Sequence, residues 1–221
     1  MGSNDRSMAV CIPPAGLEGT LEIPADPRGV VLFAHGSGSS RFSPRNGYVA
    51  AALREAGFAT LLFDLLTAGE AEDRRNVFDI PLLARRLLDA TGWLAERRDS
   101  ARLRPAYFGA STGAAAALVA AAQAGASVAA VVSRGGRPDL AGAALARVTA
   151  PTLLIVGGDD TSVIEVNEDA FALMRCEKEL RIVPGASHLF EEPGTLQQVI
   201  ALARDWFERH LPARGERRAP G

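Results

Sequence analysis

Within Tyr107-Phe108-Gly109-Ala110-Ser111-Thr112-Gly113-Ala114, a serine has glycine two residues away on each side. An apolar run precedes this segment and an alanine-rich run follows it, which puts Gly109 to Gly113 at a turn from strand to helix. A G-x-S-x-G turn in that setting forces the serine backbone into strain, projects Oγ above a sheet and needs small residues where the chain crosses itself. The plain alternative is a glycine-rich turn without chemistry. A serine hydroxyl is a weak nucleophile at neutral pH, so the chemical reading requires a base within hydrogen-bond reach and a third group that fixes the base.

Three histidines are available. His35 lies upstream, in His35-Gly36-Ser37-Gly38-Ser39-Ser40. His210 ends the last amphipathic stretch and is expected to be solvated, its charge suiting a helix C-terminus. His188, in Val183-Pro184-Gly185-Ala186-Ser187-His188, leaves an apolar run at its carboxyl end, where ligands meet open α/β sheets; it is the expected base. For the acid, the run Thr152 to Val156 enters Gly157-Gly158-Asp159-Asp160-Thr161-Ser162-Val163, two adjacent carboxylates at another strand's carboxyl end. Neighbouring side chains in a loop point different ways. One Asp should therefore reach the imidazole and the other should cap the helix beginning near Val163.

Attack on a carbonyl also needs backbone N–H groups for the developing oxyanion. One is the N–H of Thr112, directly after the serine at a helix N-terminus. The other is expected from the glycine-rich loop after Ala34, most simply the N–H of Ser37. That loop could instead be a phosphate loop, but it lacks both G-x-G-x-x-G and a following Gly-Lys-Ser/Thr.

The elements that must position these groups follow from hydropathy. Short apolar runs alternate with longer amphipathic segments from about residue 29, the pattern of parallel strands covered on both faces by crossover helices, so the fold class is α/β. Strands are expected at Val30 to Ala34, Ala59 to Phe63, Ala106 to Gly109, Ala129 to Val132, Thr152 to Val156 and Leu180 to Val183. Helices are expected at about Asn46 to Ala56, Phe78 to Glu96, Thr112 to Ala124, Val163 to Met174 and Thr195 to His210, the second carrying Ile80, Leu83, Leu87, Leu88 and Leu94 on one stripe. Ahead of them, Val10 to Pro13 and Leu17 to Pro24 flank Pro14-Ala15-Gly16, which predicts an antiparallel hairpin at the sheet edge. Residues 1–9 and 212–221 are expected to be flexible termini around a single domain, 10–211.

Composition narrows the partners. With 221 residues and 48% hydrophobic content, the chain is long enough for one sizeable core. Its 24 Lys and Arg against 26 Asp and Glu give a net charge of -2, which offers no global field for nucleic acid or an anionic membrane. No apolar stretch approaches the roughly 20 residues of a membrane span, and Met1 to Val10 lacks the pattern of a secretory signal. The expectation is a soluble cytoplasmic protein. Cys11 and Cys176 lack CxxC spacing, which supports neither a disulfide framework nor a zinc site.

Taken together, Phe33 to Ser40, Leu61-Leu62-Phe63-Asp64, Gly109 to Gly113, Gly157 to Asp160 and Val183 to Phe190 resemble the dienelactone hydrolase family of the α/β hydrolases, from about Val10 to Leu211. The resemblance implies the α/β-hydrolase fold, a mostly parallel, doubly wound sheet of about seven or eight strands, and a triad in the chain order Ser, Asp, His. The family's G-x-x-D-x-x-V pattern falls on Gly157, Asp160 and Val163, which favours Asp160 over Asp159. The name-giving enzymes have a cysteine nucleophile where this chain has Ser111, which puts dienelactone itself in doubt as a substrate. A similar subgroup is sometimes joined to a phosphoribosyltransferase domain, for which these residues contain no second segment.

The implied activity is hydrolysis of small-molecule carboxylic esters of small acyl groups by Ser111, Asp160 and His188, with no metal or cofactor. Acyl transfer or perhydrolysis on the same triad, and a binding module that kept only the fold, are the alternatives. Between Val132 and Thr152 there is room for a short helix at about Asp139 to Arg147 but not for a cap domain, which predicts an open site suited to short acyl chains. Ser133-Arg134-Gly135-Gly136-Arg137 places Arg134 at a strand's carboxyl end beside Ser111. It is either a solvated surface residue or a bidentate anchor for a substrate carboxylate.

Overall fold

The structure is a computed structural model that describes residues 6–213; the terminal expectations for residues 1–5 and 214–221 lie outside the described residues. Eight strands form one sheet: β1 (Arg6–Ile12), β2 (Leu17–Ile23), β3 (Val30–Ala34), β4 (Ala59–Phe63), β5 (Pro105–Ala110), β6 (Val131–Arg134), β7 (Thr152–Gly157) and β8 (Lys178–Val183). Their order across the sheet is β1-β2-β4-β3-β5-β6-β7-β8, antiparallel over the hairpin and its junction with β4 and parallel from there on. The hairpin is present as expected, but β1 starts at Arg6, pairing it with Ile23, so residues 6–9 belong to the sheet. An edge strand held through its backbone tolerates the polar Arg6 and Ser7, and hydropathy does not register it.

Successive residues of the central strands point to two separate cores, which is why those strands read as unbroken apolar runs. Leu32, Tyr107, Val131 and Leu154 face one core. Phe33, Phe108, Val132 and Ile155 face the other. The first is closed by α4 (Ile80–Glu96), α5 (Thr112–Ala124) and a 3-10 segment at Pro138–Arg147; α6 (Thr161–Leu173) adds Ala170. The second is closed by α1 (Pro44–Glu55) and α7 (Thr195–His210), which bury Val49, Leu53, Val199, Trp206 and Phe207. His210 is not solvated as the sequence suggested. Its ring packs edge-on against Trp206 at 4.6 Å, because the apolar stripe of α7 extends through its last turn.

Two short helices, α2 (Ala68–Glu72) and α3 (Arg74–Val77), separate β4 from α4. Hydropathy missed them because neither buries a residue; a capping box between Thr67 and Glu70 starts α2. Between β6 and β7 the 3-10 segment, kinked at Gly142, leaves no cap among the described residues. No helix in the described residues is long and apolar enough to cross a membrane.

One close approach sets the geometry above the sheet. A Cβ on Gly113 would lie 2.1 Å from the Ala34 carbonyl oxygen and 2.5 Å from that of His35, so the first turn of α5 rests directly on the end of β3. Neither backbone group can yield cheaply. Gly113→Ala is expected to cost about 3 kcal/mol or more, at the upper end of overpacking penalties, measured as a lower urea midpoint at unchanged slope. A loss under about 1 kcal/mol, the ordinary effect of a substitution, would show that α5 can slide off β3.

Candidate active site

Ser111 sits between β5 and α5 with φ 51° and ψ -124°, a region that residues with side chains rarely occupy. The conformation is imposed from several sides. The Ser111 N–H donates to the Arg134 carbonyl on β6 (3.3 Å), and the Ser111 carbonyl accepts from the N–H of Arg137 (3.1 Å) and of Ala114 (3.1 Å). Gly109 and Gly113 leave the space that the crossing requires, for a Cβ on Gly109 would lie 2.4 Å from the Ala114 Cα.

The loops that carry Asp160 and His188 are joined edge to edge beyond β7 and β8. The N–H of Gly158 donates to Val183 and that of Asp159 to Ala186, and a Cβ on Gly157 would lie 2.3 Å from the Ala186 carbonyl. This seam brings Asp160 to His188: Asp160 Oδ2 accepts from His188 Nδ1 at 2.6 Å. The bond fixes the ring and leaves Nε2 as the free nitrogen. Asp159 is exposed and does not cap α6. Asp160 itself occupies the N-cap position, and its backbone carbonyl accepts from Val163 and Ile164 while its side chain turns to the imidazole. The expected division of labour between the two carboxylates is thus corrected: one residue holds both places. The Ser111 hydroxyl makes no hydrogen bond to His188 among the described residues; such contacts commonly close only with substrate bound.

The two N–H groups expected to hold an oxyanion differ in their engagement. The N–H of Thr112, at the first position of α5, has no intrahelical acceptor. The N–H of Ser37 is not free: it donates to Thr112 Oγ1 at 2.9 Å. Sequence reasoning considered Thr112 for its backbone alone, and no hydropathy or spacing signal marks the role of its side chain.

His35 was left without a role by its sequence position. Its Nδ1 bonds the Gly36 carbonyl at 3.0 Å, and its Nε2 accepts from the Leu65 N–H at 3.2 Å, which assigns the hydrogen to Nδ1. The ring braces the loop carrying Ser37 against the loop that leaves β4.

Beside these groups is a cleft of about 540 Å³, within the range of small-ligand sites. Ser37 and Thr112 line it, and Leu65, Leu66, Val77 and Leu83 supply apolar wall; Ser111 and His188 are not among its lining residues. Glu18 and Asp64, bound to Arg41, form a polar margin. The cleft lies over β3 and β4. On the opposite side of β5, Arg134 is only 6% exposed, so the solvated surface reading does not hold. One long bond reaches Asn46 Oδ1 (3.4 Å), Nε has no partner, and no carboxylate pairs with it among the described residues. Burial, with the neighbouring charge of Arg45, pulls the guanidinium down to about 10, still protonated at neutral pH. Among the described residues no group of three His, Cys, Asp or Glu is placed to hold a metal ion.

Burial holds His35 below the ordinary histidine value, opposed by its Gly36 bond and by Asp64. The unfolded chain therefore binds a proton below about 6.5 that the folded chain resists, and stability falls as pH drops through that value. A second proton would also place an N–H against the N–H of Leu65. The melting temperature should fall from pH 7.5 to 5, and less steeply in His35→Asn; the remaining slope includes His210, also held low by burial. An unchanged slope in the variant would remove His35 from this account.

Comparisons with known proteins identify the fold and the family. A dienelactone hydrolase from Anabaena variabilis is 55% identical, with a TM-score of 0.91 over 96% of this chain and 100% of that one. An α/β serine hydrolase without lid from Xanthomonas campestris, 21% identical, shares the fold with a TM-score of 0.76 over 96% of this chain and 98% of its own. Mycobacterium tuberculosis proteins named "Putative phosphoribosyl transferase" are 62% identical over 207 residues, which are 94% of this chain and 47% of theirs. The chain spans about half the length of those curated relatives. The sequence pattern described as "Dienelactone hydrolase family" matches residues 17–211, and the chain belongs to that family.

Proposed function

We propose that the chain is a serine hydrolase that cleaves small-molecule carboxylic esters in the cytoplasm, through an acyl-enzyme on Ser111. The observation that most directly supports this reading is the 2.6 Å bond between His188 and Asp160, in a chain whose Ser111 is held at positive φ where a strand meets a helix. His188 Nε2 takes the Ser111 proton as Oγ attacks the acyl carbonyl. The tetrahedral oxyanion is held at the Thr112 N–H and by the loop of Ser37. Collapse releases the alcohol, which takes its proton from His188, and water activated by the same ring then frees the acid. Asp160 keeps Nδ1 protonated and stabilises the imidazolium. The phosphoribosyl transfer in the relatives' name refers to proteins about twice as long and enters no step here.

The sheet order suggests how an ester would lie. β3 and β4 carry the apolar cleft on one side of β5, and β6 carries Arg134 on the other. One half of the ester would enter the cleft. A carboxylate on the other half would meet the unpaired guanidinium, whose burial without a counter-ion is otherwise costly by several kcal/mol. The absence of a cap favours short acyl chains over those of about ten carbons or more, which gain most from an enclosed tunnel.

Three measurements test this reading. A fluorophosphonate should add its mass to Ser111 of the wild type and not to Ser111→Ala, which should fold normally and lose at least about a thousandfold in kcat. A tenth of the activity remaining would end the assignment. Asp160→Asn should lower kcat far more than Asp159→Asn, since a neutral amide cannot stabilise the imidazolium; equal losses would exclude Asp160.

For Arg134, p-nitrophenyl esters of adipic acid with a free or a methyl-capped second carboxyl should show a preference for the free acid in kcat/KM. Arg134→Met should reduce that preference about tenfold, the worth of one charge-assisted contact. An unchanged ratio would mean that no substrate carboxylate binds there.

A further inference from the structure

Thr112 is 5% exposed, follows Ser111 directly and lines the cleft. Its Oγ1 accepts the Ser37 N–H at 2.9 Å, and Thr112 Oγ1 donates to no acceptor among the described residues. A buried hydroxyl that accepts from a backbone amide keeps one hydrogen to give, and the amide polarises it into a better donor. The Ser37 amide therefore ends on a hydroxyl with a spare proton, on the residue directly after Ser111.

We propose that the Thr112 hydroxyl is itself a catalytic donor to the oxyanion, relaying the Ser37 N–H through the chain N–H···O–H···O⁻. This rests on the serine hydrolase reading above and adds to it a side-chain donor beside the Thr112 backbone N–H. Nothing is transferred along the relay: the hydroxyl proton stays on Oγ1, and the hydrogen bond to the oxyanion strengthens as negative charge develops. Because the hydroxyl has no other acceptor to abandon, it is ready in the free enzyme, which is the condition for donors that act mainly in the transition state. At this N1 position the hydrogen bond engaging the hydroxyl is the one it accepts from the Ser37 N–H, which leaves its own proton uncommitted.

The test separates a donor from packing. Thr112→Val keeps the shape and the β-branch and removes the hydroxyl; Thr112→Ser keeps the hydroxyl and removes the methyl. Thr112→Val should lower kcat by about a hundredfold, the scale of one lost oxyanion donor, with KM within about threefold, and Thr112→Ser should restore kcat to within about fivefold of the wild type. The affinity of an alkyl boronic acid, whose Ser111 adduct is tetrahedral and anionic, should weaken in Thr112→Val in parallel with kcat, read by thermal shift without any turnover. If kcat changes less than threefold, if only KM moves, or if Thr112→Ser is as impaired as Thr112→Val, the relay is wrong. Fluorophosphonate labelling distinguishes the failures: a wild type that takes neither this probe nor the boronate overturns the serine hydrolase reading as well, whereas full labelling with equal boronate affinity in wild type and Thr112→Val overturns the relay alone.

Discussion

The contact between the first turn of α5 and the end of β3 constrains everything above the sheet. Because Gly113 has no side chain, the helix start presses onto the Ala34 and His35 carbonyls, and the chain that joins it to β5 turns with Ser111 at positive φ. The same proximity brings Thr112 within hydrogen-bond distance of Ser37. The missing Cβ thus contributes both to the turn at Ser111 and to the meeting of two loops distant in sequence. The strain at Ser111, of order 1–3 kcal/mol for such a conformation, is borne by the double core beneath it.

A second constraint joins β7 to β8. Gly157 and Gly158 let the loop of Asp160 run against the loop of His188 with backbone bonds between them, so main chain helps to locate both residues. This explains why Asp160 can serve α6 with its carbonyl and His188 with its carboxylate. Phe190, buried at positive φ behind His188, closes the underside of that loop near the Arg134 guanidinium, 5.9 Å from its ring.

Much of this was legible because parallel strands covered on both faces leave unbroken runs of Val, Ile, Leu and Phe. The ends of those runs locate the loops where Ser111, Asp160 and His188 stand. What escaped was held by interactions that hydropathy does not encode. β6 continues through the polar Ser133 and Arg134, whose partners are backbone atoms of β5 and β7. α2 and α3 bury no residue and depend on caps. Arg134, on a strand covered from both sides, was too polar to be taken for an interior residue; burial was decided by its strand's place in the sheet. The bond from the Ser37 amide to a hydroxyl 75 residues away has no sequence signature either.

The edge hairpin has a bearing on selectivity that its position conceals. Gly16 and Glu18 belong to the hairpin and also to the wall of the cleft, and Glu18 is tied through Arg41 to Asp64, beyond β4. Edge hairpins are ordinarily the segments of a sheet freest to vary, since their outer side supports nothing. Here that freedom reaches the cleft while the machinery around β5, β7 and β8 stays untouched. Substitution along the turn from Ile12 to Leu17 and the start of β2 is therefore a means of reshaping the cleft while Ser111, Asp160 and His188 keep their places.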